Sequence, residues 1–109
     1  MIYDDGVVAN VFHPRLGGFL PSPRTDVAGL RAFVAVARVG TVARAAGLLG
    51  LAQPSVSARL ANLERNWETR LFRRRARGMA LSPEGARLLP LAESLLRGME
   101  ELDRAAGLP

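Results

Sequence analysis

Only Gly50-Leu51-Ala52 stands between two stretches that both read as helix. Upstream, Thr41 can cap "VARAAGLLG", in which Val42, Ala45, Ala46 and Leu49 form an inward stripe and Gly50 suits the stop. Downstream, Val56, Leu60, Leu63 and Trp67 recur at helical spacing and predict a helix over residues 53–67. A connection this short fixes how the two helices cross, which is the helix-turn-helix spacing. The small Ala45-Ala46 pair lets a neighbouring helix approach closely.

The flanking segments complete a small helical domain. Thr25 and Asp26 offer cap oxygens before "VAGLRAFVAVARVG", where Leu30, Phe33, Val34 and Ala37 share a face and Gly40 ends the helix. After Trp67, Leu71 and Phe72 precede an arginine run, Gly78, and Met79 to Leu81, a pattern that predicts a two-stranded hairpin. A basic hairpin following a helix-turn-helix makes a wing. Ser82-Pro83-Glu84 then starts a long helix with a hydroxyl cap, proline at the first position and an acid in the first turn. Extended to about Ala106 it measures roughly 36 Å, with a kink expected at Pro90.

The resulting fold class is mainly α: a winged helix-turn-helix, with a three-helix core and a short β wing, followed by a long C-terminal linker helix. The expected divisions are a mobile leader (1–24), the winged domain (25–82) and a linker or dimerisation helix (83–109).

Charge follows the same divisions. The chain of 109 residues carries +5 overall. From Leu30 to Ser82, ten arginines face only Glu64 and Glu68, a net +8, while residues 1–29 carry −1 and residues 83–109 carry −2. Concentrated positive charge suits an anionic polymer. All fifteen basic residues are arginine, which a GC-rich genome would also produce.

The composition excludes much else. Without cysteine there is no disulfide, thiolate chemistry or cysteine-based zinc site, and the single histidine, His13, makes no metal site alone. Glu64 and Glu68 lie about one turn apart, a spacing for surface pairing with Arg65 or Arg59 rather than acid-base catalysis. Neither enzyme activity, metal nor cofactor is expected. No apolar run approaches the roughly 18 residues that span a bilayer, and the acidic, Gly- and Pro-broken N-terminus does not read as a signal peptide. A cytoplasmic, nucleoid-associated location fits. RNA is disfavoured because Phe33, Phe72 and Trp67 sit on inward stripes, leaving no exposed aromatic platform.

In the long helix, Leu88, Leu91, Ala92, Leu95, Met99 and Leu102 cluster on one side, and Leu89 and Leu96 widen the apolar arc to about 160°. A helix this long overruns a core of three short helices. Its far half needs a partner, and Leu88, Leu89, Leu91, Leu95, Leu96, Met99 and Leu102 are the expected homodimer residues.

"LRAFVAVARVGTVARAAGLLGLAQPSVSARLANLE", then "RLFRRR" and "LSPEGARLLPLAESLL", closely resembles the N-terminal DNA-binding domain of LysR-type transcriptional regulators over about residues 26–104. The matching residues include Leu30, Phe33, Thr41, Ala45-Ala46, Gln53-Pro54, Ser57, Leu63-Glu64, Leu71-Phe72, Arg74 and the "LSPEG" start. The resemblance implies a recognition helix in the major groove, a wing on the neighbouring backbone, and linker helices that pair two protomers. Ala52 departs from the Ser or Thr usual at the cap of the recognition helix, and Glu68 from a common Gly. The larger effector-binding domain usual in the family is missing, so no small-molecule effector site is expected in this chain. An excised piece, a truncated gene and a naturally short regulator all fit.

The expected partner is double-stranded DNA. Gln53, Pro54, Ser55, Ser57, Ala58 and Arg59 are candidate base readers: short enough to admit the helix, or able to donate and accept at base edges. Taken alone, Gln53 to Ser57 would pass for an ordinary helix start, and the turn and wing tip the balance. Thr41, Arg44, Arg73, Arg74, Arg75 and Arg77 are candidate backbone contacts. The simpler reading of the arginines is a solvated cluster, and Arg74 beside Phe72 also suits a structural tie. A rival function is a protein-interaction module that forms heterodimers with full-length relatives.

Overall fold

The computed structural model describes residues 24–109. The leader expectation for residues 1–24, and His13 with it, therefore lies outside the described residues apart from Arg24. Helix α1 spans Val27–Val39, α2 spans Val42–Leu49 and α3 spans Gln53–Trp67. Strands β1 (Phe72–Arg75) and β2 (Gly78–Leu81) form the wing, and α4 runs over Pro83–Ala105. The described residues thus form the winged helix-turn-helix with a long C-terminal helix that the sequence predicts.

α1 is the centre of the core. Asp26 caps it, its Oδ1 accepting from the Gly29 amide at 2.6 Å. The sequence predicts one apolar face, but Leu30, Ala32, Phe33, Val34, Ala35 and Val36 are all buried. The reason is that α2, α3, α4 and β2 all pack against this helix; an all-round apolar helix belongs inside. Arg31 and Arg38, seven residues apart, mark its solvent line, and Arg38 pairs with Glu93 of α4 at 3.5 Å.

Three left-handed residues set the directions of the helices. Gly40 (φ 86°) ends α1 and Gly50 (φ 68°) ends α2, where glycine adopts positive φ without a Cβ penalty. The third, Glu68 (φ 52°, ψ 45°), ends α3 in the same conformation with a side chain attached. At the other end of α3, Ala52 gives no side-chain cap. The missing cap expected from the sequence is real.

The aromatic residues join the elements. Phe33 of α1 meets Phe72 of β1 edge-on at 5.7 Å and Trp67 of α3 at 6.5 Å. The Trp67 indole N–H donates to the Thr25 hydroxyl at 3.2 Å, satisfying the ring's polar end where the chain enters α1.

The wing is antiparallel, pairing Phe72 with Leu81 through Arg75 with Gly78. Its second strand leans on the α1–α2 corner, where the Met79 amide donates to the Gly40 carbonyl at 2.9 Å. Gly78 (φ 112°) is required there, because a Cβ would collide with the Gly40 carbonyl oxygen.

α4 begins at Ser82, whose Oγ accepts from the Gly85 amide at 2.9 Å and donates to the Arg70 carbonyl at 2.6 Å. The helix runs through Pro90 without interruption. Ala92 is buried, and Leu88, Leu89 and Leu96 pack against the core. Beyond them α4 projects, and residues 101–109 are exposed.

Replacing Glu68 by glycine removes a left-handed Cβ penalty of about 1–2 kcal/mol and adds about 0.4–1 kcal/mol of unfolded-state entropy. The net gain of about 0.5–1 kcal/mol raises the midpoint of thermal unfolding by a few degrees, since 1 kcal/mol shifts a domain of this size by roughly 4–8 °C. Circular dichroism melts of Glu68→Gly and the native chain measure it. An unchanged or lower midpoint contradicts strain at this turn.

Candidate nucleic-acid interface

The outer surface of α3 is set by its buried stripe. With Val56, Leu60 and Leu63 inward, Gln53, Pro54, Ser55, Ser57 and Ala58 of the first two turns are exposed, as are Ala61 and Asn62. These residues present no formal charge and few long side chains, so the backbone of α3 stands close to its own surface. Arg59 is placed differently. It is half-buried and lies about 200° around the helix from Ser57, on the flank away from the wing.

At the start of α2, Thr41 is half-buried and its Oγ1 accepts from the Arg44 amide at 3.0 Å, so the hydroxyl caps the helix while the Arg44 side chain is exposed. In the wing, Phe72 turns into the core and Arg73, Arg74 and Arg75 are exposed along β1, with Arg77 in the turn. Among the described residues none of these four arginines pairs with an acid. Four positive charges thus crowd a hairpin with no ion pair to an acid among the described residues.

The wing root is the part the sequence did not disclose. Glu64 was expected to pair with Arg65 or Arg59. Its Oε2 instead accepts from the Leu71 amide at 2.8 Å, while Arg65 bonds Asn62 Oδ1 at 3.0 Å. The correction has a physical reason: Glu64 lies about 80° from Val56 around α3, on the flank that meets the strand leading into β1, where a backbone amide lacks a partner. From the other side the Ser82 amide donates to the Leu71 carbonyl at 2.9 Å. Gly85 packs so close to this carbonyl that a Cβ would overlap it. The only local hints were an acid in a basic domain and a glycine in the first turn of a helix.

The leucines of α4 separate into two groups. Leu88, Leu89 and Leu96 serve the chain's own core. Leu91, Leu95 and Leu102 are 65%, 50% and 68% exposed and, with Met99, line a shallow trough on the outer face. Ser94 and Gly98 lie within that trough one turn apart, two small residues that the leucine pattern had obscured.

Among the described residues there is no group of three or more His, Cys, Asp or Glu side chains placed to hold a metal ion. No described helix is long and apolar enough to cross a membrane.

Comparison with known proteins agrees with this geometry. The family pattern of the bacterial regulatory helix-turn-helix protein, lysR family, matches residues 27–86. An uncharacterized HTH-type transcriptional regulator from the ibpB-leuC intergenic region of Azotobacter vinelandii is 44% identical over 80 residues, which are 73% of this chain and 56% of that protein. The HTH-type transcriptional regulator YofA of Bacillus subtilis is 40% identical over 76 residues, 70% of this chain and 27% of YofA. The chain thus spans between about a quarter and just over half the length of these relatives. Among solved structures, oxidized Corynebacterium glutamicum OxyR superposes with a TM-score of 0.74 at 35% identity, covering 79% of this chain and 28% of OxyR. The BenM_DBD/benA site 1 DNA complex gives 0.71 at 30%, covering 76% of this chain and 96% of that one. The CbnR_DBD-DNA complex gives 0.69 at 30%, covering 76% and 97%. The fold and the matched residues 27–86 together establish that the chain belongs to the lysR family of bacterial regulatory helix-turn-helix proteins.

Proposed function

We propose that this chain is a transcriptional regulator that binds double-stranded DNA sequence-specifically, as a homodimer on an inverted-repeat site at the nucleoid. The observation that carries the reading is the pairing of two unlike surfaces: the exposed, uncharged first turns of α3 and, beside them, four wing arginines that have no acidic partner among the described residues. Residues 25–82 act as the DNA-binding unit and residues 83–109 as the linker that joins two copies. The BenM and CbnR domains, similar over nearly their whole length, are both in complex with DNA, which supports the same ligand here.

A helix about 10–12 Å across enters a major groove about 12 Å wide only if its leading surface is short. Pro54, Ser55 and Ala58 meet that demand, and Gln53 can pair with adenine through both its amide donor and its carbonyl. Ser57 donates or accepts at a neighbouring edge. Arg59, on the far flank, is better placed for a phosphate than for a base. Arg44 at the start of α2 and Arg73, Arg74, Arg75 and Arg77 hold backbone phosphates, which fix register without reading sequence. Thr41 acts through its cap, holding the start of α2 in place.

Leu91, Leu95, Met99 and Leu102 form the dimer seam. Leucines exposed along three turns of one helix make an apolar patch that a second α4 would cover, and Ser94 and Gly98 leave room for the two backbones to approach. The same face would serve heterodimers with longer relatives, but that role alone leaves the wing charge unused.

Two substitutions separate reading from holding. Gln53→Ala lowers the preference for the selected site over random duplex by about 1–3 kcal/mol, or about 5- to 150-fold, with the salt dependence unchanged. The double change Arg75→Ala, Arg77→Ala weakens both duplexes alike and flattens the slope of log K against log[salt] by about 1.8, at roughly 0.9 per phosphate. Equal losses on both duplexes for Gln53→Ala remove it as a base reader, and an unchanged slope for the arginine pair removes the wing from the interface.

For the dimer, light scattering of the native chain gives twice the 11.7 kDa chain mass, and the double change Leu95→Glu, Leu102→Glu gives a folded monomer whose melt no longer depends on protein concentration. A native chain that remains monomeric both alone and on DNA overturns the α4 seam.

A further inference from the structure

We infer that the cleft between α3 and the wing arm seats a DNA backbone phosphate, held by Arg70 together with Arg74. The inference rests on the DNA-binding reading above and adds a residue that neither the arginine run nor the recognition helix singled out. The cleft has a volume of about 200 Å³, with Ser57 and Glu64 on its α3 wall and Arg70, Phe72 and Arg74 on the wing side. Both arginines are exposed.

Its position follows from topology. With α3 in the major groove and the wing tip on the flanking backbone, the strand that borders the groove has to cross the space between them. That space is this cleft. Arg70 and Arg74 flank Phe72 along the chain, and both are exposed while its ring is buried. Arg70 and Arg74 line the cleft on the wing side, opposite Ser57 on the α3 wall.

Preorganisation sets Arg70 apart from the arginines of the wing tip. The main chain around it is held at four points: Thr69 N to Glu64 O at 3.0 Å, Ser82 Oγ to Arg70 O at 2.6 Å, Leu71 N to Glu64 Oε2 at 2.8 Å, and Ser82 N to Leu71 O at 2.9 Å. The Arg70 side chain leaves a fixed point, so only its own rotamers are ordered on binding. The Glu64 carboxylate also lines the cleft, but one oxygen is engaged by the Leu71 amide and the two arginines outweigh its charge. A net positive cleft with guanidinium donors fits a phosphate.

The test measures binding to a random-sequence duplex between 50 and 200 mM salt for the native chain and for Arg70→Ala, Arg70→Lys and Arg97→Ala. Arg97 is exposed on α4, away from the cleft, and controls for loss of one positive charge anywhere in the chain. Arg70→Ala flattens the slope by up to about 0.9, the value for one whole phosphate, of which Arg74 retains a share, while Arg70→Lys restores most of it, Arg97→Ala leaves it unchanged, and all four melts agree. A native slope in Arg70→Ala, with the Arg75/Arg77 double variant still flattened, overturns the cleft and leaves the DNA-binding reading intact. Equal flattening in Arg70→Ala and Arg97→Ala overturns it as well, since the effect is then net charge alone. A native chain that binds no duplex overturns the underlying reading, and the cleft assignment with it.

Discussion

The main chain at Leu71 is the point where α3, the wing and α4 meet. Its amide is taken by a carboxylate of α3, its carbonyl by the amide that begins α4, and its side chain is fully buried. Gly85 gives up a side chain so that α4 can close onto that carbonyl. The wing would otherwise be a two-stranded hairpin, which is at best marginally stable alone. Anchored here and at the Gly40 carbonyl, it holds a fixed angle to α3. Leaving either polar group of a buried residue unpaired costs about 1–3 kcal/mol, a large share of the stability of a small domain.

That anchoring permits a division of surface chemistry. The exposed first turns of α3, residues 53–58, are small and uncharged, while four arginines sit on the neighbouring wing. The arginines of α3 itself, Arg59 and Arg65, lie further along the helix than these first turns. In the proposed DNA-binding reading, this separation lets phosphate contacts supply affinity while the helix supplies choice. α4 plays a third part: its first turns close the core, and its far half carries leucines that the single chain does not bury.

Much of this was legible locally. Thr41, Gly40, Gly50 and Ser82-Pro83 announce helix ends because caps and left-handed turns are chemistry of one or two residues. The α3 stripe and the hairpin are periodic signals of the same short range. Ala52 and Glu68 became informative only against the family's habit, since an alanine or a glutamate by itself predicts nothing about a cap. Glu64, Gly78 and Gly85 were opaque for a different reason: each is defined by a backbone atom that lies many residues away in the chain, and no local pattern encodes that closeness. In α4, periodicity gives the apolar arc but not the place where the core ends along it, so it does not separate Leu88, Leu89 and Leu96, which pack on the core, from the exposed Leu91, Leu95 and Leu102. The exposure of Gln53, Pro54, Ser55, Ser57 and Ala58 is legible in the sequence because it follows from the buried stripe of the helix, whereas Arg59 falls on its half-buried flank. The place of Arg70 is not legible there, because its significance comes from the cleft.

The central claim is that α3 chooses a sequence and α4 presents two copies of it. Selection of bound sites by the native chain from a pool of random duplex DNA tests both halves at once. The account predicts enrichment of an inverted repeat, its two half-sites each matching one recognition helix and related by the dimer's two-fold axis. Retention of duplex with no enriched sequence would contradict base reading by α3, and enrichment of a single unrepeated half-site would contradict the paired α4 helices.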